Sequence, residues 1–219
     1  MSSDSLLRQQ IDLYPAIIFD MDGTLMNSEI WHHRSWNDAL KQYGIPELST
    51  DKLYAYGGMP SLEIAKDVLK NVGNTELDPQ EVGDLKGKLY RQEYMMQAEP
   101  FPLVCSFLKE LHAEGKRIAI ATSSHQQEAR FLLGKHGLLD YIDAVISGDM
   151  VTRGKPNPDI YLLAAEKLNA KIEDCLVFED TVIGMQGIKN AGMAAVKVFE
   201  GEYACDHVIT KDEVWTGTK

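Results

Sequence analysis

Lysine and arginine are scarce relative to acid: 22 against 33 aspartate and glutamate, a formal net charge of -11 over 219 residues. That balance argues against nucleic acid or an anionic membrane surface as a partner, and an anionic small molecule would need cations gathered locally. Cysteine is scarce too. Cys105, Cys175 and Cys205 are odd in number and lack metal-ligand spacing, which fits a reduced protein and not a disulfide scaffold or a zinc module. Long hydrophobic runs are missing: no segment approaches a membrane span, and Met1 to Leu13 has no apolar core of signal-peptide length. The expectation is a monomer in the cytoplasm. Repeats and low-complexity segments are absent. Hydrophobic residues at 44% and charged ones at 25% are ordinary globular values, so a packed core follows and intrinsic disorder does not. The length suits one large domain or a core with a smaller insert.

The chain is organised around Ala16-Ile17-Ile18-Phe19-Asp20-Met21-Asp22-Gly23-Thr24-Leu25. An apolar, β-branched run that ends in Asp-x-Asp-Gly-Thr describes a buried strand, near Tyr14 to Phe19, opening into a tight turn. Before it, Met1 to Leu13 reads as a polar, frayed lead-in. After it, from about Asn27 to Glu99, apolar residues recur at helical spacing (Trp31, Trp36, Leu40; Leu62, Ala65, Leu69) and no strong strand run is seen. This predicts a helical insert at 27–99, bounded by turn-formers near Gly23 and by Pro100 and Pro102.

Beyond the insert, helices alternate with short apolar strands. Helices are expected at Phe107 to His112, Gln126 to Lys135, Asp159 to Leu168 and Val182 to Asn190. Strands are expected at Arg117 to Ala121, Ala144 to Ser147, Leu176 to Phe178, Ala194 to Val198 and, last, His207 to Ile209. The rhythm means an α/β fold, a doubly wound parallel sheet covered by helices on both faces, with 1–26 and 100–219 forming the core.

Every strand of a parallel sheet opens its carboxyl end on one edge, where such folds bind ligands. The residues just past the strands are Asp20 and Asp22; Thr122, Ser123, Ser124 and His125; Lys155 in Arg153-Gly154-Lys155-Pro156-Asn157-Pro158; and Glu179 with Asp180. Four carboxylates crowded together repel, and a hard cation relieves the cost; Mg²⁺ prefers oxygen ligands and commonly bridges to phosphate. Asp20 is placed to act as a nucleophile on phosphorus, Asp22 to move a proton to and from the leaving oxygen, and Thr122 with the amides after it to hold phosphoryl oxygens. Taken singly, each piece has an ordinary explanation: a capping threonine, a solvated lysine, an acidic first helical turn.

Taken together, Asp20-Met21-Asp22-Gly23-Thr24, Thr122, Lys155 and Glu179-Asp180 resemble the four motifs of the haloacid dehalogenase superfamily, over nearly the whole chain. The chain is similar within it to the β-phosphoglucomutase-like branch of sugar-phosphate enzymes. The resemblance implies a Rossmann-like core with an inserted helical cap and an aspartyl-phosphate on Asp20. It also implies Mg²⁺ held by Asp20, the Asp22 backbone carbonyl, Asp180 and, directly or through water, Glu179. The aspartate at Asp22 points to phosphate and away from halide. In the cap, His32 falls at the position of the branch's hinge histidine and Lys86 at that of its lysine partner. Gly57-Gly58-Met59-Pro60-Ser61 resembles the loop that closes over substrate, with His125 and Ser123 beside the phosphate and Asn157 a turn residue. At the position of the arginine that grips a second phosphate stands Ser61. Without that guanidinium, bidentate capture of a distal phosphate is lost, which favours hydrolysis of a sugar or polyol monophosphate over a mutase. Phosphonoacetaldehyde hydrolysis ranks third, for want of a lysine near Gly57 to Ser61, and a non-catalytic binding protein would have discarded Asp20, Asp22 or Lys155.

Overall fold

A computed structural model describes residues 3–213; the tail beyond them, to which the sequence assigns no role, lies outside the described residues. In chain order the elements are α1 (Ser3–Ile11), β1 (Ala16–Phe19), β2 (Met26–Asn27), α2 (Glu29–Gln42), α3 (Thr50–Ala55), α4 (Ser61–Asn71) and α5 (Pro79–Leu89). They continue with β3 (Glu99–Pro100), α6 (Pro102–Ala113), β4 (Arg117–Thr122), α7 (Gln126–Lys135), β5 (Ala144–Ser147) and α8 (Asp159–Lys167). The chain then runs through β6 (Cys175–Glu179), α9 (Val182–Ala191), β7 (Ala194–Phe199) and β8 (Glu202–Tyr203).

The main sheet has the order β5-β4-β1-β6-β7-β8, parallel from β5 to β7. Because strand side chains alternate between faces, β1 serves two cores. Ile17 and Phe19 face the α6 and α7 side with Leu108, Leu111, Leu132 and Phe178, whereas Ala16 and Ile18 face α8 and α9 with Ile160, Ala164 and Ile188. Phe19 and Phe178 stack at 4.6 Å across the β1–β6 ladder, locking its register. In that register Phe19 lies level with Ile120 and Phe178, so Asp20, Thr122 and Glu179 leave the sheet on one edge.

Between β2 and β3 the chain builds the helical cap, which has its own apolar centre of Trp36, Leu40, Leu53, Ile64, Val68 and Val82. The two strands at its base pair antiparallel, Met26 with Pro100 and Asn27 with Glu99, so entry and exit lie side by side.

Two expectations are corrected. Within the expected frayed lead-in, the described residues from Ser3 on form a docked helix: α1 buries Leu7 and Ile11 in the core, and Arg8 bridges Asp12, Glu110 and Glu114, tying α1 to α6. Two apolar residues four apart were too few to stand out in a polar segment. The last strand is also not His207 to Ile209; β8 at Glu202–Tyr203 turns back antiparallel on β7, and Ile209 makes a lone bridge to Ala195. Among the described residues no helix is long and apolar enough to cross a membrane. Leu7→Ala should lower the stability of the whole chain by about 2–4 kcal/mol in urea unfolding, the range for a buried leucine. A frayed segment would give no change.

Candidate active site

The edge where β1, β4 and β6 end carries a cluster of charge buried from solvent. Lys155 is 2% exposed, and its Nζ donates to Asp20 Oδ1 at 2.5 Å and to Glu179 Oε2 at 2.9 Å. The remaining lone pairs of Glu179 are met by the Tyr161 hydroxyl (2.9 Å) and by the amide and hydroxyl of Thr181 (2.9 and 2.7 Å). Thr24 donates to Asp180 Oδ1 at 3.0 Å. Burial pushes the Asp20 carboxyl well above its ordinary range, with Glu179 adding to the rise and Lys155 opposing it. Burial also raises Asp180, helped by Glu179. In Glu179, burial is outweighed by Lys155 and the Thr181 donors, and its carboxyl stays low. Two buried lysines therefore face three carboxylates, Lys155 by direct hydrogen bonds and Lys197 through its charge on Asp180.

Oxygens of Asp20, Glu179 and Asp180 lie within 4.8 Å of one another. An all-oxygen set of this charge, crowded and only partly compensated, suits a hard divalent cation such as Mg²⁺. Two glycines make the crowding possible. Gly23 has φ +86°, and a Cβ there would stand 2.2 Å from Asp180 Oδ2; a Cβ on Gly184 would stand 2.1 Å from Glu179 Cδ.

Asp22 points the other way, towards the cap. Its Oδ1 accepts from Ser28 Oγ (2.6 Å) and faces His32 Nε2 (3.3 Å); its Oδ2 accepts from Ser124 Oγ (2.8 Å) and Thr122 Oγ1 (3.1 Å). Burial would raise this carboxyl, but His32, Ser28 and Ser124 outweigh it and hold it below its usual range. Behind His32 stands Lys86, with Nζ 2.7 Å from Nδ1. An ammonium has no lone pair to offer, so Nδ1 accepts from it and Nε2 carries the hydrogen that is directed at Asp22. The His32 ring stacks on Tyr90 at 3.8 Å, and Lys86 lies over both Trp36 and Tyr90. Burial lowers the Lys86 ammonium to about 8. His32 is thus drawn into the site and is not a surface helix residue.

The other residues singled out in the sequence border the same space. A cavity of about 310 Å³ between cap and sheet edge is lined by Asp20, Asp22, His32, Gly58, Ser61, Lys86, Ser123 and His125, among others. Ser123 donates to the Gly58 carbonyl at 2.8 Å, so the cap loop is stitched to the end of β4. His125 begins α7 with an exposed ring 4.0 Å from Asp149, and Asn157 closes a turn onto the Gly154 carbonyl. The Thr122 hydroxyl is spent on Asp22 and the Ser124 amide. The sequence placed Ser124 at the edge but gave it no role, and it did not point to Ser28, Tyr161 or Thr181. Ser28, six residues after Asp22 and just ahead of the first cap helix, and Ser124, two after Thr122, carried a positional signal. Tyr161, inside α8, carried none.

An acidic metal-type cluster and an Asp-x-Asp turn at the carboxyl edge of a parallel sheet, beneath a helical cap, define a hydrolase-type α/β enzyme. The family model for haloacid dehalogenase-like hydrolases matches residues 17–198, and the chain belongs to that family. It is 36% identical over 186 residues to the fructose-1-phosphate phosphatase YqaB of Escherichia coli, covering 84% of this chain and 96% of that protein. It is 30% identical over 193 residues to β-phosphoglucomutase of Bacillus subtilis, covering 85% and 84%. A crystal structure of a hydrolase from Pseudomonas syringae superposes with a TM-score of 0.75 at 29% identity, covering 86% of each chain.

Two of the buried lysines, Lys155 and Lys86, respond oppositely to removal. Lys155→Met strands two carboxylates and should cost about 3–5 kcal/mol in urea unfolding at pH 7. The loss should shrink on acidification, as the raised Asp20 carboxyl takes up a proton. Lys86→Met removes a buried ammonium whose folded value, about 8, lies below the free value of 10.5. The penalty is full below pH 8 and gone above 10.5, so the variant should gain at most about 3 kcal/mol at pH 7, fading across that window.

Proposed function

We propose that the chain is a Mg²⁺-dependent phosphoric monoester hydrolase acting on a small sugar or polyol monophosphate. The observation that carries the reading is Asp20, gripped by Lys155 beside Asp180 and Glu179, with Asp22 one residue away on the cavity side. Asp20, Asp180 and Glu179, with the Asp22 carbonyl, would hold Mg²⁺, which supplies positive charge to the phosphoryl group in transfer. The relatives named for fructose-1-phosphate phosphatase and β-phosphoglucomutase support the substrate class.

Asp20 attacks phosphorus, the ester P–O bond breaks, and the departing oxygen takes the proton of Asp22. An arriving phosphate is a like charge, which raises the Asp22 carboxyl and favours the protonated form that this step needs. Water then attacks the aspartyl-phosphate and gives its proton to Asp22. The P–O bond to Asp20 breaks, phosphate leaves and Asp20 is restored. Lys155 stabilises the phosphoryl charge and holds Asp20 in line. The four hydrogen-bond partners of Asp22 suit its ionised form, the base of the second step. The His32–Lys86 pair, on cap elements, delivers one of them, so cap closure completes the Asp22 environment. We take 27–99 as the moving cap and 1–26 with 100–219 as the core, in a cytoplasmic monomer.

A β-phosphoglucomutase-like phosphotransferase is the second reading, favoured by the His32–Lys86 pair; Ser61 weighs against it. Asp20→Asn should abolish Mg²⁺-dependent phosphate release from a panel of hexose, pentose and polyol monophosphates, and chelator should do the same to the wild type. A bisphosphate intermediate that accumulates and then disappears into an isomer, without net phosphate release, would establish the mutase instead.

A further inference from the structure

The cavity wall opposite the phosphate-handling edge is the face of α5 that carries Gln80, Gly83, Asp84 and Gly87, at positions i, i+3, i+4 and i+7. Two glycines inside one helix are costly to its stability. Neither has the positive φ that would demand glycine. A Cβ on Gly83 would make ordinary contact with Ser61, 3.7–3.8 Å away, so helix packing does not demand it either. A Cβ on Gly87 would press only on the guanidinium end of Arg91, at 3.2 Å. What the missing side chains preserve is room in the cavity, beside Ser61.

The polar partners on this face are the exposed Gln80 and Asp84, joined by a 2.9 Å hydrogen bond from Gln80 Nε2 to Asp84 Oδ1. A carboxylate and an amide side by side present the acceptors and donors that hold vicinal hydroxyls. Among the described lining residues Lys86 is the one lysine or arginine, and its ammonium is turned to His32, while Glu128 is paired with Arg91 and Glu29 with His33. The α5 face thus offers a second phosphate no cation and sets the Asp84 carboxylate against it, while Gln80 and Asp84 suit hydroxyls.

We propose that this α5 face is the specificity surface of the reaction read above: Gly83 and Gly87 make room for the substrate's uncharged polyhydroxy body, and Gln80 with Asp84 hold its hydroxyls and exclude bisphosphates. The proposal rests on the phosphatase reading.

The test compares phosphate release with Mg²⁺ from fructose 1-phosphate, glucose 6-phosphate, fructose 1,6-bisphosphate and acetyl phosphate, whose two-carbon body is the smallest of the four and carries no hydroxyl for Gln80 or Asp84 to hold. Gly83→Leu should lower kcat/KM for the better hexose monophosphate at least about tenfold, the scale of filling a substrate pocket, and leave acetyl phosphate within about twofold. Gly83→Ala should raise Tm by about 2–4 °C, since the helix gains and nothing clashes. Asp84→Arg, at an exposed position, should raise the ratio of bisphosphate to monophosphate kcat/KM at least about tenfold, and it carries the test if Gly83→Leu does not fold. Unchanged hexose monophosphate kinetics in Gly83→Leu, a parallel loss with acetyl phosphate, a fall of Tm in Gly83→Ala, or an unchanged ratio in Asp84→Arg would overturn the proposal and leave the phosphatase reading standing. A wild type inert towards all four probes and towards the panel of hexose, pentose and polyol monophosphates would overturn the reading beneath it and the proposal with it.

Discussion

Lys155 is buried between Asp20 and Glu179, and most of what surrounds it exists to make that burial tolerable. An ammonium removed from water is stable only when its protons are matched, and carboxylates removed from water only when a cation or donor meets them. The aligned ends of β1 and β6 bring the two acids to one level. The loop before α8 brings the lysine, and Tyr161 and Thr181 fill the remaining positions on Glu179. With Asp180 added, three carboxylates share Lys155 and the charge of Lys197, and burial holds Asp20 and Asp180 towards their protonated forms when no further cation is present.

Asp20 and Asp22 are separated by one residue yet live in different environments. Asp20 sits in the acidic cluster, where burial and Glu179 favour the protonated carboxyl in the absence of metal. Asp22 is turned to donors from α2 and from the end of β4, and stays ionised. Environments that push the protonation of two neighbouring carboxyls apart are what acid and base assignments rest on, and the proposed roles of Asp20 and Asp22 rest on this difference. Because one donor is His32, itself positioned by Lys86 and Tyr90, the state of Asp22 depends on where the cap sits.

The parallel sheet and its edge were legible because strands buried on both faces write continuous apolar runs, and the residue after each run is necessarily at the edge. Asp20, Thr122, Glu179 and Asp180 follow from that rule alone, and Lys155 from its place in a loop between such runs. The resemblance to a known family added roles and placed His32 and Lys86, 54 residues apart, in one site, which no local pattern could do. The α1 helix escaped notice because its two core contacts, Leu7 and Ile11, are outnumbered by polar neighbours; its place is set by long-range contacts with α6. The short return strand β8 escaped because two residues carry no period.

What the residue order established is which groups are present and which element ends carry them: a hydrophobic period chooses strand or helix, and parallel topology then delivers the strand ends to one edge. What the folded arrangement established is how those groups face one another. Whether Asp22 turns to Ser28, Ser124 and His32, whether Tyr161 reaches Glu179, and whether the glycines of α5 open on the cavity are all matters of ångströms between elements far apart in the chain. Side-chain direction at such distances depends on packing, because the energies that set it belong to neighbours in space and are not written in neighbours in sequence.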